Sequence, residues 1–361
     1  MKLVMTLRAR DEADIVDAQI AFHLNAGVDF VVATDHRSED GTTEILEAYA
    51  REGYLHLIRK SGDEMHEGEW ATHMARVAAR EFEADWVIPS DADEFYWPRG
   101  GSLKEVLASV PERYGVVRAL LRQFVPRPDD EGFFAERMQA RVSGSAPINA
   151  PTSLFRPNLK SVHRGDPDVT VSAGGHSVLG SRFVPLRGWY PIELLHFPIR
   201  SFEQCERKYA HLRDALGESR NAYYEEVYRA RQDGRLREFY DSLTIDDEAL
   251  AHGVHDGSLV VDTRLRDALR ALRVSKSDVG EGEFAFRRDG ALSFPRPTVV
   301  DEAAYAIDVA ALGEADVVRL QRRLDTLESR LLALEGRPSS GLVDQLNGAA
   351  RRLLRRSRRR A

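Results

Sequence analysis

The stretch LRARDEADIVDAQIAFHLNAGVDFVVATDHRSEDGTTEIL (residues 7–46) holds two strand endings, each followed by a helix. Upstream, Lys2–Leu7 reads as a short apolar strand. Glu12–Ala26 then carries Ile15, Val16, Ile20, Phe22 and Leu24 at helical spacing and stops at Gly27. Phe30–Thr34 (FVVAT) is short and rich in β-branched residues, like a buried parallel strand. Asp40 or Thr42 caps the next helix, Thr43–Arg51, which ends at Gly53. The alternation continues. Tyr54–Ile58, Trp86–Pro89 and Gly115–Leu121 read as strands, with helices over Glu69–Phe82 and Ser102–Val110 between them. This order predicts an α/β fold, a doubly wound and mostly parallel sheet with helices on both faces. In such sheets ligands bind beyond the carboxyl ends of the strands. Three of those ends are polar here: Thr6–Glu12, Asp35–Thr42 and Ser90–Phe95.

The remaining composition narrows the class. The chain has 361 residues, 43% hydrophobic and 30% charged, which excludes disorder for most of its length. Cys205 is the only cysteine, so no disulfide framework exists within the chain. There is no apolar run long enough to span a membrane, and MKLVMTLRARDEAD lacks the pattern of a secretory signal. The expected location is therefore cytoplasmic. The net charge of −7 is a sum of unlike parts. RRLLRRSRRRA at the end holds seven arginines, and the 350 residues before it carry −14. Nucleic acid is an unlikely partner for so acidic a body.

DWVIPSDADEFYWP places Asp91, Asp93 and Glu94 just after an apolar strand. Carboxylates at that spacing either form a solvated turn or hold a hard divalent cation, Mn2+ or Mg2+, that neutralises a departing diphosphate. Asp35, at the end of the second strand, is placed to accept a hydrogen bond from a base or a ribose; helix capping explains Asp40 and Thr42 and leaves Asp35 unused. Neither a dinucleotide-binding glycine fingerprint nor a P-loop is present.

Together these residues carry a resemblance. Residues 7–46, EGEWATHMARVAAREFEADWVIPSDADEF, KSVHRGDPDVTVSAGGHSV and LLHFPIRSFEQCERK look like a family 2-like glycosyltransferase, in the bacterial subgroup with an Asp-Ala-Asp-Glu-Phe metal motif. The resemblance spans roughly residues 1–210 and implies a GT-A fold, a nucleotide-sugar donor, a divalent metal and an inverting reaction. It places Thr6, Arg8, Glu12, Asp35 and Asp91 in the nucleotide pocket. It makes Asp91 and Asp93 the metal motif, with Asp93 the more direct ligand. The family's usual residues before Ser38 are replaced by His36 and Arg37, and Arg37 reads as solvated. Of three histidines in the second segment, His176 follows Gly174-Gly175 and is the expected extra metal ligand; His163 and His196 read equally as core residues. For the general base, Glu136 is preferred, with Asp168 and Glu94 as rivals and a surface ion pair as the alternative for Glu136. Trp70 reads as a core anchor, and Glu67 and Glu69 as sugar or ribose contacts.

The expected organisation is a glycosyltransferase domain over 1–240, made of a nucleotide half (1–121) and an acceptor half (122–200). An accessory segment over 241–312 follows, then a short coiled-coil-like helix over 313–335 and an arginine-rich tail over 336–361. Val317, Leu320, Leu324, Leu327, Leu331 and Leu334 form a heptad seam that either pairs two copies or packs on the body. The tail either lies on an anionic membrane surface, which would suit a glycan or lipid-linked acceptor, or is a disordered basic end. Two rival functions remain from the sequence: a nucleotidyltransferase on a similar sheet, and a binding protein that works through its tail.

Overall fold

The computed structural model describes residues 1–62, 66–128, 131–144, 154–155, 158–179, 183–210, 222–274, 284–290 and 292–312. The heptad seam and the arginine tail lie outside the described residues. The chain divides into Met1–Val309 and Ala310–Ala361. Residues 241–309, expected as an accessory segment, belong to the same compact unit as the sheet.

The first half follows the alternation read from the sequence. The elements are β1 (Leu3–Ala9), α1 (Val16–Asn25), β2 (Phe30–His36), α2 (Thr42–Arg51), β3 (Leu55–Lys60), α3 (Glu67–Arg80) and β4 (Trp86–Asp91). Next come β5 (Glu94–Pro98), α4 (Leu103–Ala108), β6 (Val116–Gln123), α5 (Phe134–Arg137), β7 (Ala140–Val142) and β8 (Leu159–Arg164). The two-residue strands β9 (Thr170–Val171) and β10 (Val178–Leu179) precede β11 (Ile192–His196). The last part contains α6 (Phe202–Ala210), α7 (Ala222–Gln232), α8 (Leu236–Leu243), α9 (Asp247–Asp256), β12 (Leu259–Val261) and α10 (Arg264–Leu272).

Eight strands form one mixed sheet in the order β3-β2-β1-β4-β8-β6-β11-β5. β1, β2, β3 and β4 are parallel neighbours, as are β6 and β11, while β8 and β5 run against their neighbours. Because β8 reverses direction between β4 and β6, six strands point the same way. The sheet is therefore α/β as expected, with antiparallel members that the first-half pattern does not contain. Alternation along β1 divides the core. Leu3, Met5 and Leu7 face a cluster shared with α1, α4 and α10, while Val4 faces α3 together with Val32 and Val87. Both faces are thus covered by helices. A smaller cluster of Ile199, Cys205, Tyr209, Tyr223, Val227, Leu236 and Tyr240 joins α6, α7 and α8.

The later segment is tied to the sheet by buried charge. Glu193 on β11 bonds Arg122 at 2.6 Å, Arg264 at 2.9 Å and Arg99 at 3.2 Å. Asp262 bonds Arg264 at 2.7 Å and Arg141 at 3.0 Å, and Asp308 pairs with Arg122. A buried carboxylate with one partner pays a large desolvation cost; sharing it among several guanidinium groups offsets that cost.

β8 ends in a tight crossing. A Cβ at Gly165 would fall 1.7 Å from the carbonyl oxygen of Ala84, and Gly165 N–H donates to Asp85 O at 2.9 Å. Gly165→Ala must push two backbones apart, so a loss of about 2–3 kcal/mol is expected. Thermal unfolding of the variant measures it, and an unchanged melting temperature would show that the crossing relaxes freely.

Candidate active site at the carboxyl edge of the sheet

The shared direction of six strands decides which side chains meet. Arg8 and Asp91 are register partners at the ends of β1 and β4. His196, at the end of β11, is level with Gln123 on β6 and with Glu94, where antiparallel β5 begins. β8 also begins at this edge, so Lys160 enters from the same side. The loop after β11 and helix α6 add Arg200 and Lys208.

Two adjoining ion-pair groups result. In the first, Arg8 bonds Glu67 at 2.6 Å and Asp91 at 2.9 Å, and Lys160 bonds Asp91 at 2.9 Å and Glu94 at 2.7 Å. In the second, Arg200 pairs with Glu12 and with Asp14 (2.6 Å), while Lys208 bonds Asp93 at 2.7 Å. Burial opposes the ionised form of Asp91, yet Arg8 and Lys160 hold its carboxyl well below the usual range. Asp93 is likewise held low against burial by Lys208 and His196. Burial raises Glu94, and pushes Glu12 up to about 7 against the pull of Arg200. Glu12 Oε2 faces Arg200; Oε1 accepts no hydrogen bond among the described residues. Six carboxylates thus meet four cations in these ion pairs, and burial turns two of the six, Glu12 and Glu94, toward the neutral form.

His196 supplies the geometry for a cation. Its Nδ1 donates to Gln123 Oε1 at 2.7 Å, which leaves Nε2 facing Asp93 Oδ1 at 3.5 Å. With the imidazole neutral these are two acceptor atoms facing each other; with Nε2 protonated they form the bond through which His196 helps to hold Asp93 low. Their separation suits two ligands that share one small divalent ion at about 2.1 Å from each. A hydrogen bond from the second imidazole nitrogen is the usual support of a metal-binding histidine. Ligand atoms of Asp93, Glu94 and His196 all lie within 4.8 Å of one another.

The structure gathers some of the expected residues and scatters others. Thr6, Arg8, Glu67, Asp91, Lys160 and Gly175 line one recess beside the cluster, and Asp93 and Glu12 stand next to it. Asp35 is different. Ser38 Oγ and Thr43 Oγ1 donate to its two oxygens, each at 2.6 Å, so Asp35 braces the loop into α2 and is not open to a base. Both Asp91 oxygens are bonded, to Arg8 and Lys160, which leaves Asp93 as the metal-facing carboxylate of the pair. His176 is not in the ligand group. Its Nδ1 bonds Leu159 O at 2.9 Å, and burial and nearby Lys160 disfavour charge on it. Glu136 pairs with Arg270 on α10, which lowers its pKa on the surface, and Asp168 pairs with Arg80 at 3.2 Å in an exposed position. Neither contacts the cluster. Glu94 is fully buried on Lys160. Trp70 is buried edge-on against His36, as a core anchor is.

Lys160, Arg200, Lys208 and Gln123 were not singled out from the sequence. Three of them lie in quoted stretches, Lys160 opening KSVHRG and Arg200 and Lys208 following His196 by four and twelve residues. Spacing alone does not say which sheet edge they reach.

A model of glycosyltransferase family 92 matches residues 6–126, about a third of the chain, including β1, β4 and the Asp91–Asp93 turn. The chain is a glycosyltransferase by that match. The finer resemblance read from the sequence was to the family 2-like group. Among curated proteins none matches at a significant level. Solved structures with similarity include S. aureus TarS 1-349 in complex with UDP-GlcNAc, at 15% identity, 75% of this chain, 86% of that chain and a TM-score of 0.34. TarS 1-349 in complex with UDP covers 82% of this chain and 100% of that chain at 14% identity and a TM-score of 0.31. Glucosyl-3-phosphoglycerate synthase from Mycobacterium tuberculosis, in complex with Mn2+ and UDP, covers 35% and 44% at 17% identity and a TM-score of 0.24. At such scores these likenesses carry no weight for the site, which stands on its own residues. Among the described residues no helix is long and apolar enough to cross a membrane.

His163 gives a test of the surrounding core. It is wholly buried on β8, Nδ1 bonds Arg164 O at 2.8 Å, and burial lowers its pKa to about 4. The unfolded imidazole, with its ordinary value near ~6.5, binds a proton that the folded one refuses. Stability is therefore complete above that value and is lost as pH falls toward about 4. Melting temperature against pH is expected to slope less in His163→Gln than in the parent across this window; equal slopes would show that His163 takes up a proton while folded.

Proposed function

We propose that the chain is a metal-dependent, inverting glycosyltransferase that moves a sugar from a nucleoside-diphosphate sugar to the hydroxyl of a glycan or lipid-linked acceptor. The observation that carries this reading is the placing of His196 Nε2 3.5 Å from Asp93 Oδ1, with ligand atoms of Asp93, Glu94 and His196 within 4.8 Å of one another. Asp93 and His196 would hold Mn2+ or Mg2+, with Glu94 beside them. When bound, the ion supplies positive charge to the diphosphate as it leaves.

The protein's own groups do the rest. Arg8 and Lys160 keep Asp91 ionised and fixed, so its backbone turn holds Asp93 in place. Lys208 occupies the other Asp93 oxygen from α6 and brings an ammonium to the phosphate side of the site. Gln123 fixes the His196 tautomer. With Glu136 and Asp168 on the surface, Glu12 is the carboxylate suited to accept the acceptor hydroxyl proton, because its Oε1 bonds none of the described residues and burial raises its pKa to about 7. The peripheral-membrane and homodimer roles expected for the tail and the heptads remain proposals from the sequence.

Asp93→Asn is expected to lower Mn2+ affinity by about 100-fold or more and donor hydrolysis by a comparable factor. Mn2+ titration and donor turnover measure the two, with thermal melting as the folding control. Turnover that survives both this substitution and chelation would overturn the metal reading. A base with a pKa of about 7 works only when deprotonated, so the rate should fall below neutral pH. That acid limb should vanish, along with most activity, in Glu12→Gln; an unchanged pH profile would assign the base elsewhere.

A further inference from the structure

We propose that a second cleft, at the opposite edge of the sheet, binds a neutral oligosaccharide, and this rests on the glycosyltransferase reading only for the source of that ligand. The cleft encloses about 730 Å3 and is lined by Arg99, Trp189, Tyr190, Arg296, Glu302 and Tyr305, among others. That is the size of an ordinary small-molecule site. Its position follows from the β5–β11 ladder. His196 pairs with Glu94 at the catalytic edge, and Ile192 pairs with Pro98 four residues away. Four steps of extended chain span about 14 Å. Beyond Ile192 and Pro98 the ladder closes with Arg99 N–H donating to Pro191 O at 3.0 Å, and the cleft begins there.

The lining is built in advance. The Arg99 guanidinium stacks on the Tyr305 ring at 3.5 Å and is held by Glu193 (3.2 Å) and Glu302 (2.9 Å). Tyr305 Oη donates to Tyr190 O at 2.7 Å. Gly100 and Gly101 have φ of +97° and +77°, and a Cβ on Gly100 would meet Arg296 Cγ at 2.9 Å, so bare backbone forms this part of the wall. Trp189 remains 45% exposed.

Charge decides the ligand class. Arg99 and Arg296 are balanced by Glu105 and Glu302, all on the lining. A phosphate or a uronic acid gains no net attraction there, and neither does a cation. The exposed indole offers a flat apolar face, while the guanidinium and carboxylate groups offer donors and acceptors side by side. A sugar ring has a C–H face and hydroxyls that both donate and accept. A nucleotide shares the stacking face but brings phosphate that the balanced lining does not attract.

The test uses the full chain and four probes: hexasaccharides of α-linked glucose, β-linked glucose, N-acetylglucosamine and galacturonic acid, each titrated calorimetrically. At least one neutral hexasaccharide is expected to bind, and the galacturonate more weakly. Trp189→Ala and Glu302→Gln should each weaken binding by about tenfold or more. Asp93→Asn and added UDP should leave it unchanged. The inference is overturned if no neutral hexasaccharide binds, if the galacturonate binds better, or if Trp189→Ala has no effect. Loss of binding in Asp93→Asn, or competition by UDP, would also overturn it by placing the sugar in the catalytic centre. Donor turnover, measured separately, reports on the glycosyltransferase reading, so failure of one is distinguishable from failure of the other.

Discussion

Six carboxylates crowd the carboxyl edge of this sheet, and buried negative charge persists only when cations stand close by. Asp91 is satisfied by Arg8 and Lys160, Glu94 by Lys160, Asp93 by Lys208, and Glu12 and Asp14 by Arg200. Those cations come from β1, β8, the loop after β11, and α6. The demand for counter-charge therefore bears on how the later segments return to the first four strands. Beside these pairs His196 Nε2 stands 3.5 Å from Asp93 Oδ1. A stable protein with no task at this edge would do better with neutral side chains there. In the proposed reaction the acidic cluster would hold the positive charge that a leaving diphosphate needs.

The same constraint recurs on β11 in a structural role. Glu193 and Glu94-paired His196 are three residues apart on one strand. Glu193 is shared among Arg99, Arg122 and Arg264, and with the Arg122–Asp308 pair this ties α10 and Asp308 to the sheet. One strand thus carries a structural charge network toward its start and the candidate site at its end. The structural network also orients Arg99, whose outer face stacks on Tyr305 and lines the distal cleft.

Much of the first half was legible because local rules suffice there. β-branched runs, helical spacing and Gly27 and Gly53 as stops describe β1 to β4 and α1 to α3 closely. Asp93 and Arg8 were legible for the same reason, since Arg8 lies near the end of β1 and Asp93 in the turn just after β4, and the alternation fixes the direction of both strands. Other expected site residues are engaged in contacts that their spacing does not show. Asp35 looked unused, but Ser38 and Thr43 fold back onto it. Glu136 was expected to act or to pair locally, and its partner Arg270 is 134 residues away. His176 and His196 were equivalent as letters; only the pairing of β11 with β5 and β6 brings His196 level with Glu94 and Gln123.

The sequence by itself determined an α/β sheet, its polar strand ends and the carboxylate turn at Asp91–Glu94, because strand and helix periods are local properties of the chain. The tertiary structure decided which cations meet those carboxylates, which histidine faces Asp93, and that residues 241–309 complete the same unit. The physical reason is the reversal of β8 and β5 within a sheet of otherwise aligned strands. Direction and register are settled by pairing between distant segments, and they alone bring Lys160, His196, Arg200 and Lys208 to one edge.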